Sequence, residues 1–428
     1  MNSNLIVILT IGLCGIVGSW RSTPASIGES AYDLTPTTIS PSVEDDSGPG
    51  SKPGTTTPSL ESALLKDHYR FVPLTREKQN SELFVRCTVN GKPILLLVDT
   101  GFSCSSLSQD VAEALGLEIK ESSEQIATVG TEAKKSKVAR VNEFRVSDSS
   151  SVSIDFCVAD FSALRKVARD AKQIVHDGVL GANWLAQYSC AIDFGSDRLY
   201  YLEPAIRDRF IPLVPPSSDS DDEIKASTVG SALTQEGYGF ARTYQSSKTT
   251  ELLVNCRVKG KSVCFWVDTG SDTTTLSFDI AKALNLNLVD SPNESVGIGN
   301  KGHRVKQARV DDIRFGDLDF QMTKVCFDDF TACRQMQKRL GRIEYDGLLG
   351  TDFLALMSVV IDYRHDVLYY LVPNRNDVTQ FMGSWKSTRV CRSVLRNRTT
   401  RPEIGRCLSP ATMSNSAKAR SFGNAYWD

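Results

Sequence analysis

Two stretches of the chain carry the same succession of hydrophobic and polar positions. In the first, the runs Leu83–Val89 and Pro93–Val98, which are mostly apolar or β-branched, are joined at Asn90-Gly91, a strong signal for a β-hairpin turn. In the second, the run Val263–Val267 follows the weaker turn signal Lys259-Gly260. The continuously apolar character of the later run in each pair predicts a strand that is buried on both faces.

One short helix is predicted after each pair of strands. Ser108 and Ser277 suit the N-cap position, and Asp110 and Asp279 fall in the first turn, ahead of apolar residues at helical spacing. The remainder of each stretch alternates between short strand patterns and polar turns. Each stretch is therefore predicted to be mainly β, with one or two short helices.

The two stretches are copies of one another at a constant offset of 169 residues, without a gap. Glu82–Cys87 corresponds to Glu251–Cys256, and the closing segment Leu199–Leu202 corresponds to Leu368–Leu371. This pattern indicates the tandem duplication of a unit of roughly 135 residues.

The copies are predicted to span residues 67–204 and 236–373, and the segments outside them differ in composition. Residues 20–66 are rich in Ser, Thr, Pro and Gly and are predicted to be disordered. Residues 205–235 are interpreted as a flexible acidic linker between the copies. Residues 374–428 form a basic tail without hydrophobic periodicity, which is also predicted to be disordered.

The N-terminus carries an apolar run of 13 residues, Leu5–Val17. A bilayer span needs about 20 apolar residues, whereas a signal peptide needs fewer. Residues 1–19 are therefore interpreted as a signal peptide, with an uncleaved N-terminal membrane anchor as the alternative because no Lys or Arg precedes the run. Either reading predicts an extracytoplasmic protein, secreted or periplasmic, and the ten cysteines that follow the signal fit such a compartment.

Composition narrows the chemistry further. Of the 428 residues, 41% are hydrophobic and the net charge is −2, so the chain can build a core and gives no indication of nucleic-acid binding. Four histidines and no Cys-x-x-Cys motif argue against a metal site. Gly297–Gly302 matches a dinucleotide-binding pattern but leads into strand-like alternation, so a hairpin turn is predicted there and no cofactor is expected.

The tripeptide Asp-Thr-Gly follows the buried strand in both copies: Asp99, Thr100 and Gly101, and Asp268, Thr269 and Gly270. Two carboxyl groups brought together at the edge of a core cannot both ionise easily, so they hold one proton between them. One carboxylate can then activate water while the other polarises a peptide carbonyl. A hydrophobic-hydrophobic-Gly segment comes at the same distance in each copy and contains Leu180, Gly181, Leu349 and Gly350.

These motifs resemble those of retropepsin-like aspartic proteases, over nearly all of both copies. The resemblance implies two β-barrel lobes with a shared active site, in which Asp99 and Asp268 form the catalytic dyad. It further implies that Thr100 and Thr269 bond across the lobe interface and that the hydrophobic-hydrophobic-Gly segments lie beneath the active site. The substrate-covering flaps implied by the resemblance contain Val129, Gly130, Ile298 and Gly299.

The sequence departs from the retroviral pattern at two places. Ala182 and Thr351 stand where the retroviral enzymes have an Arg that braces the dimer, so the network that stabilises the lobes is not predicted. Phe102 stands where a small residue is usual, while the second copy has Ser271, and the bulky residue is expected to crowd the first loop.

The resulting hypothesis is an exported aspartic endopeptidase that cleaves a protein or peptide. The alternative is a catalytically silent module of the same fold that binds peptide or polysaccharide. The lobes are expected to pair within one chain as a pseudo-dimer, with a homodimer as the alternative.

The cysteines recur as matched pairs, so disulfides are predicted between Cys87 and Cys157, between Cys256 and Cys326, and in the tail between Cys391 and Cys407. Buried thiols are the alternative for the first four, because two of them lie in strand-like runs.

Overall fold

The computed structural model describes residues 7–9, 59–126, 129, 134–206, 221–245, 250–298, 302–316 and 318–371. These residues contain the helices α1 (Leu60–Lys66), α2 (Gln109–Ala114), α3 (Ser162–Asp170), α4 (Ala182–Gln187), α5 (Asp221–Ala226), α6 (Thr228–Gln235), α7 (Phe278–Ala283), α8 (Thr331–Arg339) and α9 (Thr351–Leu356).

The strands up to the end of the first copy are β1 (Val7–Leu9), β2 (Arg70–Pro73), β3 (Thr75–Arg76), β4 (Leu83–Val89), β5 (Lys92–Asp99), β6 (Ser106–Ser108), β7 (Ile119–Ile126), β8 (Lys134–Val146), β9 (Val152–Ala159), β10 (Gly178–Gly181), β11 (Ala191–Asp193) and β12 (Arg198–Tyr201). Those of the second copy are β13 (Gly239–Tyr244), β14 (Leu253–Val258), β15 (Lys261–Val267), β16 (Thr275–Ser277), β17 (Val289–Val296), β18 (His303–Phe315), β19 (Leu318–Asp328), β20 (Gly347–Leu349), β21 (Val360–Asp362) and β22 (Val367–Tyr370).

The first copy forms lobe 1, an eight-stranded sheet in the order β3-β4-β5-β10-β6-β9-β8-β7. An additional pairing between β4 and β8 closes the sheet into a barrel. The hairpin predicted at Asn90-Gly91 is present, with both residues at positive φ (48° and 77°), as a two-residue turn between twisted strands requires.

The second copy forms lobe 2 with the same topology, in the order β17-β18-β19-β16-β20-β15-β14, and β14 closes onto β18. Lys259 takes the left-handed conformation of Asn90, at φ 49°. The predicted mainly β fold with two tandem lobes is confirmed. Each lobe has three short helices, one more than the pattern suggested, because α4 and α9 begin directly after the buried Gly segments and were not recognised.

A six-stranded sheet in the order β13-β22-β21-β11-β12-β2 joins the two lobes. At its centre β11 and β21 are antiparallel, with Ile192 opposite Ile361. These two residues are related by the 169-residue offset, so the pseudo-two-fold axis of the duplication passes between them. The lobes are thus joined through backbone hydrogen bonds as well as through side chains.

Helices also occur in segments whose composition predicted disorder. α1 lies in the 20–66 segment, and α5 and α6 lie in the predicted linker at 205–235. Leu60 and Leu64 of α1 and Val229 and Leu233 of α6 share one buried cluster with Tyr200 of the joining sheet. The i, i+4 spacing of these few apolar residues gives each helix a face to bury, which an average over composition does not show.

The N-terminal strand β1 pairs in parallel with Glu294–Val296 of β17. It falls within the segment interpreted as a signal peptide or anchor. Within the described ranges, no helix is long and apolar enough to cross a membrane.

The predicted disulfide pairs within the lobes are wrong. Cys157 is bonded to Cys104, and Cys87, Cys256 and Cys326 are outside any disulfide. Cys87 lies in the barrel core, whereas β9 runs parallel to β6 and brings Cys157 beside the end of the loop that holds Cys104. Lobe 2 has Thr273 at the position of Cys104, so this disulfide is not repeated. Cys391 and Cys407 lie outside the described residues.

We expect Cys104→Ser to lower the free energy of unfolding, because the disulfide closes a loop with a sequence separation of 53 residues. A loop of that length corresponds to about 4 kcal/mol in the chain-entropy model. Thermal unfolding of the variant should show a fall in Tm, with Cys87→Ser as a control that removes a buried thiol outside the disulfide. Peptide mapping under non-reducing conditions should recover Cys104 linked to Cys157. Recovery of Cys157 linked to Cys87 would contradict the structure.

Candidate active site

The two Asp-Thr-Gly segments meet where β5 and β15 end. Asp99 and Asp268 are fully buried there. β10 runs parallel to β5 with Gly181 opposite Asp99, and the Asp268 amide donates to Leu349 O at 3.1 Å. The hydrophobic-hydrophobic-Gly segments that contain Leu180 and Leu349 therefore lie alongside the strands that carry the carboxyl groups.

Thr100 and Thr269 connect the lobes through four reciprocal hydrogen bonds. Thr100 Oγ1 donates to Val267 O at 2.6 Å, and Thr269 Oγ1 donates to Val98 O at 2.7 Å. Each hydroxyl also accepts from the backbone N–H of the other threonine, at 3.0 and 3.1 Å. We call this set of bonds the threonine network. It fixes the residues that directly precede Asp99 and Asp268 against the opposite lobe.

The two carboxyl groups face each other. Oδ1 of Asp99 accepts from Gly101 N at 2.7 Å, and Oδ1 of Asp268 accepts from Gly270 N at 3.0 Å. A Cβ at Gly101 would collide with the Asp268 carboxyl, and one at Gly270 would collide with that of Asp99. Both positions thus require glycine. Within the described part of the chain, no donor group reaches Oδ2 of either aspartate.

Burial shifts the pKa of both carboxyl groups upward. Desolvation raises the pKa of Asp99 from its ordinary value to about 7, although the hydrogen bond from Gly101 N works against it. Desolvation, followed by the negative charge of Asp99, holds the pKa of Asp268 well above its ordinary value. A single proton between the facing carboxyl groups removes their charge repulsion and gives the Oδ2 atoms a hydrogen bond. The pair therefore retains a proton into the neutral range.

This arrangement has the two groups that general acid–base hydrolysis needs. The ionised carboxylate can accept a proton from water, and the protonated one can donate to a carbonyl oxygen. Among the described residues, no group of three or more His, Cys, Asp or Glu side chains is placed to hold a metal ion.

A polar residue that sequence analysis did not identify supports the loop that follows each Asp-Thr-Gly tripeptide; we call these two loops, residues 102–105 and 271–274, the catalytic loops of the candidate site. Asn183 Oδ1 accepts from Ser105 N at 2.7 Å and from Ser105 Oγ at 3.0 Å. In lobe 2, Asp352 Oδ1 accepts from Thr274 N at 2.9 Å and from Thr274 Oγ1 at 2.6 Å. Each of these polar residues comes two positions after the Gly of a hydrophobic-hydrophobic-Gly segment, and this recurrence could have identified them from the sequence.

Gly181 and Gly350 lie against these loops too closely for any side chain. A Cβ at Gly181 would overlap the backbone of Cys104, and one at Gly350 would overlap the backbone of Thr273. Thr351, one of the residues in place of the retroviral Arg, donates across the lobes to Asn80 O at 2.7 Å. The two lobes are thus also connected beneath the dyad.

A buried ion pair joins the lobe 1 loop to lobe 2. Glu251 lies 3.4 Å from Arg342, with both side chains almost fully buried, and it accepts from Ser103 Oγ of lobe 1 at 3.0 Å. Its counterpart Glu82 is also buried, but Gln173 stands at the position of Arg342. Burial raises the pKa of Glu82 to about 8, so this carboxyl group is neutral at acid and neutral pH. Sequence reasoning did not identify this difference between the lobes.

The hairpins β7–β8 and β17–β18 carry the residues predicted as flaps. Val129 is buried in a cluster with lobe 2 residues such as Leu253 and Trp266, and Ile298 is buried in a cluster with lobe 1 residues such as Phe84. Each flap therefore packs against the lobe opposite to its own. Gly130 and Gly299 lie outside the described residues.

Residues 85–184 and 254–353 both match a family model described as aspartyl protease. The chain thus carries two tandem aspartyl protease domains. The family matches thus cover the Asp-Thr-Gly and Gly segments of both protease domains. A search of curated proteins found no significant match.

Two solved structures are similar to parts of the chain. A retropepsin-like aspartic protease from Rickettsia conorii is 18% identical, with 31% of this chain and 89% of that chain covered and a TM-score of 0.23. Conglutin gamma, a basic 7S globulin from lupine seeds, is 12% identical, with 73% of this chain and 96% of that chain covered and a TM-score of 0.34.

We expect Thr100→Val to weaken the association of the protease domains. The substitution keeps the shape of the side chain but leaves Val267 O and Thr269 N without their buried partner, at a cost on the order of 3 kcal/mol. Thr100→Ser retains the hydroxyl group and is the matched control. Denaturant unfolding should separate the two variants, and equal stability of the valine and serine variants would show that the threonine network contributes little.

Proposed function

We propose that the protein is an aspartic endopeptidase with Asp99 and Asp268 as its catalytic dyad. The observation that supports this most directly is the contact of two buried carboxyl groups, one from each domain, whose Oδ2 atoms have no other donor among the described residues. The apolar N-terminal run and the Cys104–Cys157 disulfide support the further proposal that the enzyme acts outside the cytoplasm.

In the proposed reaction, a water molecule is held between the two carboxyl groups. The ionised carboxylate takes a proton from this water as its oxygen attacks the scissile carbonyl carbon. The protonated carboxyl group donates to the carbonyl oxygen, which gives a neutral tetrahedral intermediate. The carboxyl group that took the water proton then gives it to the amide nitrogen, while the other carboxylate takes a proton from a hydroxyl group of the intermediate. The C–N bond breaks to give a carboxylic acid and an amine, and the dyad is again singly protonated as at the start. No covalent enzyme intermediate forms.

An extended peptide is the substrate form that suits the flaps. β17 is the outer strand of its hairpin, and it pairs with the short extended segment β1 of the same chain. Its edge thus offers backbone hydrogen bonds to an extended chain, largely without regard to side-chain identity.

We expect hydrolysis of a denatured protein to favour acid and neutral over alkaline pH, because the raised pKa of Asp268 retains the shared proton through neutral pH and the proton is lost only at alkaline pH. A chelator should leave the rate unchanged. Asp99→Asn, which keeps the side-chain size, should lower kcat by several orders of magnitude. A rate that is undiminished at pH 9, or that survives in Asp99→Asn, would overturn the proposed mechanism.

We also expect one active site per chain. The covalent connection gives each domain an effective concentration of its partner on the order of millimolar. Asp99→Asn and Asp268→Asn should then each abolish turnover, and the specific rate should stay constant over a hundredfold dilution. In a homodimer with two sites, one mutation would leave up to half of the activity and dilution would lower the rate. Either of those results would favour the homodimer.

A further inference from the structure

Each domain presents an apolar wall to the opposite flap, and the two walls are built from equivalent positions. The lobe 1 wall contains Phe84, Leu97, Phe161 and Val179, and the opposite flap contributes Val296 and Ile298 to the same cluster. The lobe 2 wall contains Leu253, Trp266, Phe330 and Leu348, which are the same positions shifted by 169, and it receives Val129. A substrate side chain that enters between a flap and a wall has to fit there.

The walls differ most at the catalytic loop itself, three residues after each aspartate. Phe102 belongs to the lobe 1 wall and is fully buried, whereas lobe 2 has Ser271 at this position. The backbone at both places is held in the same way, because Phe102 O accepts from Ala182 N and Ser271 O accepts from Thr351 N, both at 2.8 Å. The two loops therefore differ in the side chain at this position, which is the phenyl ring of Phe102 in lobe 1 and the hydroxyl group of Ser271 in lobe 2.

Trp266 of lobe 2 is larger than Leu97, its counterpart in lobe 1. It does not fill the space at its catalytic loop as Phe102 does in lobe 1. Its indole N–H donates to Thr100 O at 3.2 Å, so its polar edge points at the threonine network between the domains. Its ring lies against Tyr345, at 5.0 Å between ring centroids. The Ser271 hydroxyl, for its part, donates to Thr273 O within its own loop at 2.9 Å.

We propose that Phe102 is a specificity-determining residue that makes the cleft asymmetric. Its ring fills part of the lobe 1 wall in the loop that follows Asp99, so the substrate residue that faces this wall is small: Gly, Ala or Ser. The lobe 2 side, with Ser271, accepts a larger apolar residue. This inference rests on the proposed function, since it names the peptides that the same site takes.

The test is a set of peptides in which each position within three residues of the scissile bond is varied among Ala, Leu and Phe. The wild-type enzyme should show, at one position, a kcat/KM at least roughly tenfold higher for Ala than for Phe. Phe102→Ser should raise kcat/KM for Leu and Phe at that position about tenfold or more and leave the other positions unchanged. Phe102→Leu should give a smaller change in the same direction.

Two further variants separate specificity from a loss of packing. Ser271→Phe should impose a new preference for small residues at a different position of the peptide. Phe144→Leu removes a similar volume from the barrel core, outside both walls, and should alter stability without altering the preference. A size preference that is the same in the wild type, Phe102→Leu and Ser271→Phe would overturn the proposal.

A failure of the proposed function gives a different result. If the wild type cleaves no peptide in the set, calorimetry with peptides that carry a reduced, non-cleavable amide still measures how tightly the walls bind side chains of different size. Tighter binding of the Ala peptide than of the Phe peptide, with a smaller difference in Phe102→Leu, would support the size restriction without any catalysis. Equal binding of both peptides by both proteins would overturn it.

Discussion

The contact between two buried carboxyl groups across the pseudo-two-fold axis is the constraint on which the rest of the structure depends. Two carboxyl groups can be held together in a core only if they share a proton and the surrounding backbone keeps them in place. The threonine network does this, because its hydroxyl groups bind the carbonyl groups of Val98 and Val267, which directly precede the aspartates. The joining sheet and the Thr351–Asn80 bond serve the same end from below.

Much of this arrangement could be read from the sequence because it depends on local patterns that occur twice. The hairpin at Asn90-Gly91, the buried strand after it and the Asp-Thr-Gly tripeptide are contiguous in the chain. The Cys104–Cys157 disulfide was missed because it depends on which strand lies beside the loop, which a comparison of equivalent cysteines does not reveal. The Glu251–Arg342 pair was missed for a related reason, since the two residues are far apart in sequence and lobe 1 has no counterpart.

These unrepeated features share a physical basis. In a homodimer every substitution appears twice, so a residue that suits one half must also be tolerated in the other. A duplicated chain is free of that limit. Lobe 1 has the disulfide and Phe102, while lobe 2 has the buried ion pair and Ser271, and all four lie close to the catalytic loops. A cleft with unlike halves is the natural consequence, and it suits a peptide, whose two directions are chemically different.

The flaps connect this asymmetry to the chemistry. Val129 and Ile298 are each buried against the opposite domain, so the apolar surface that shields the dyad from water is shared between the halves. Opening a flap for substrate exposes that surface and hydrates the carboxyl groups, which weakens the desolvation that raises the pKa of Asp99. A bound peptide that pairs with the flap edge and fills the space against the walls excludes water again. The upward pKa shift that the proposed reaction requires is thus strongest when a well-fitting substrate is in place. A substrate whose side chain is excluded by Phe102 leaves the two carboxyl groups partly hydrated, so they hold the shared proton less firmly.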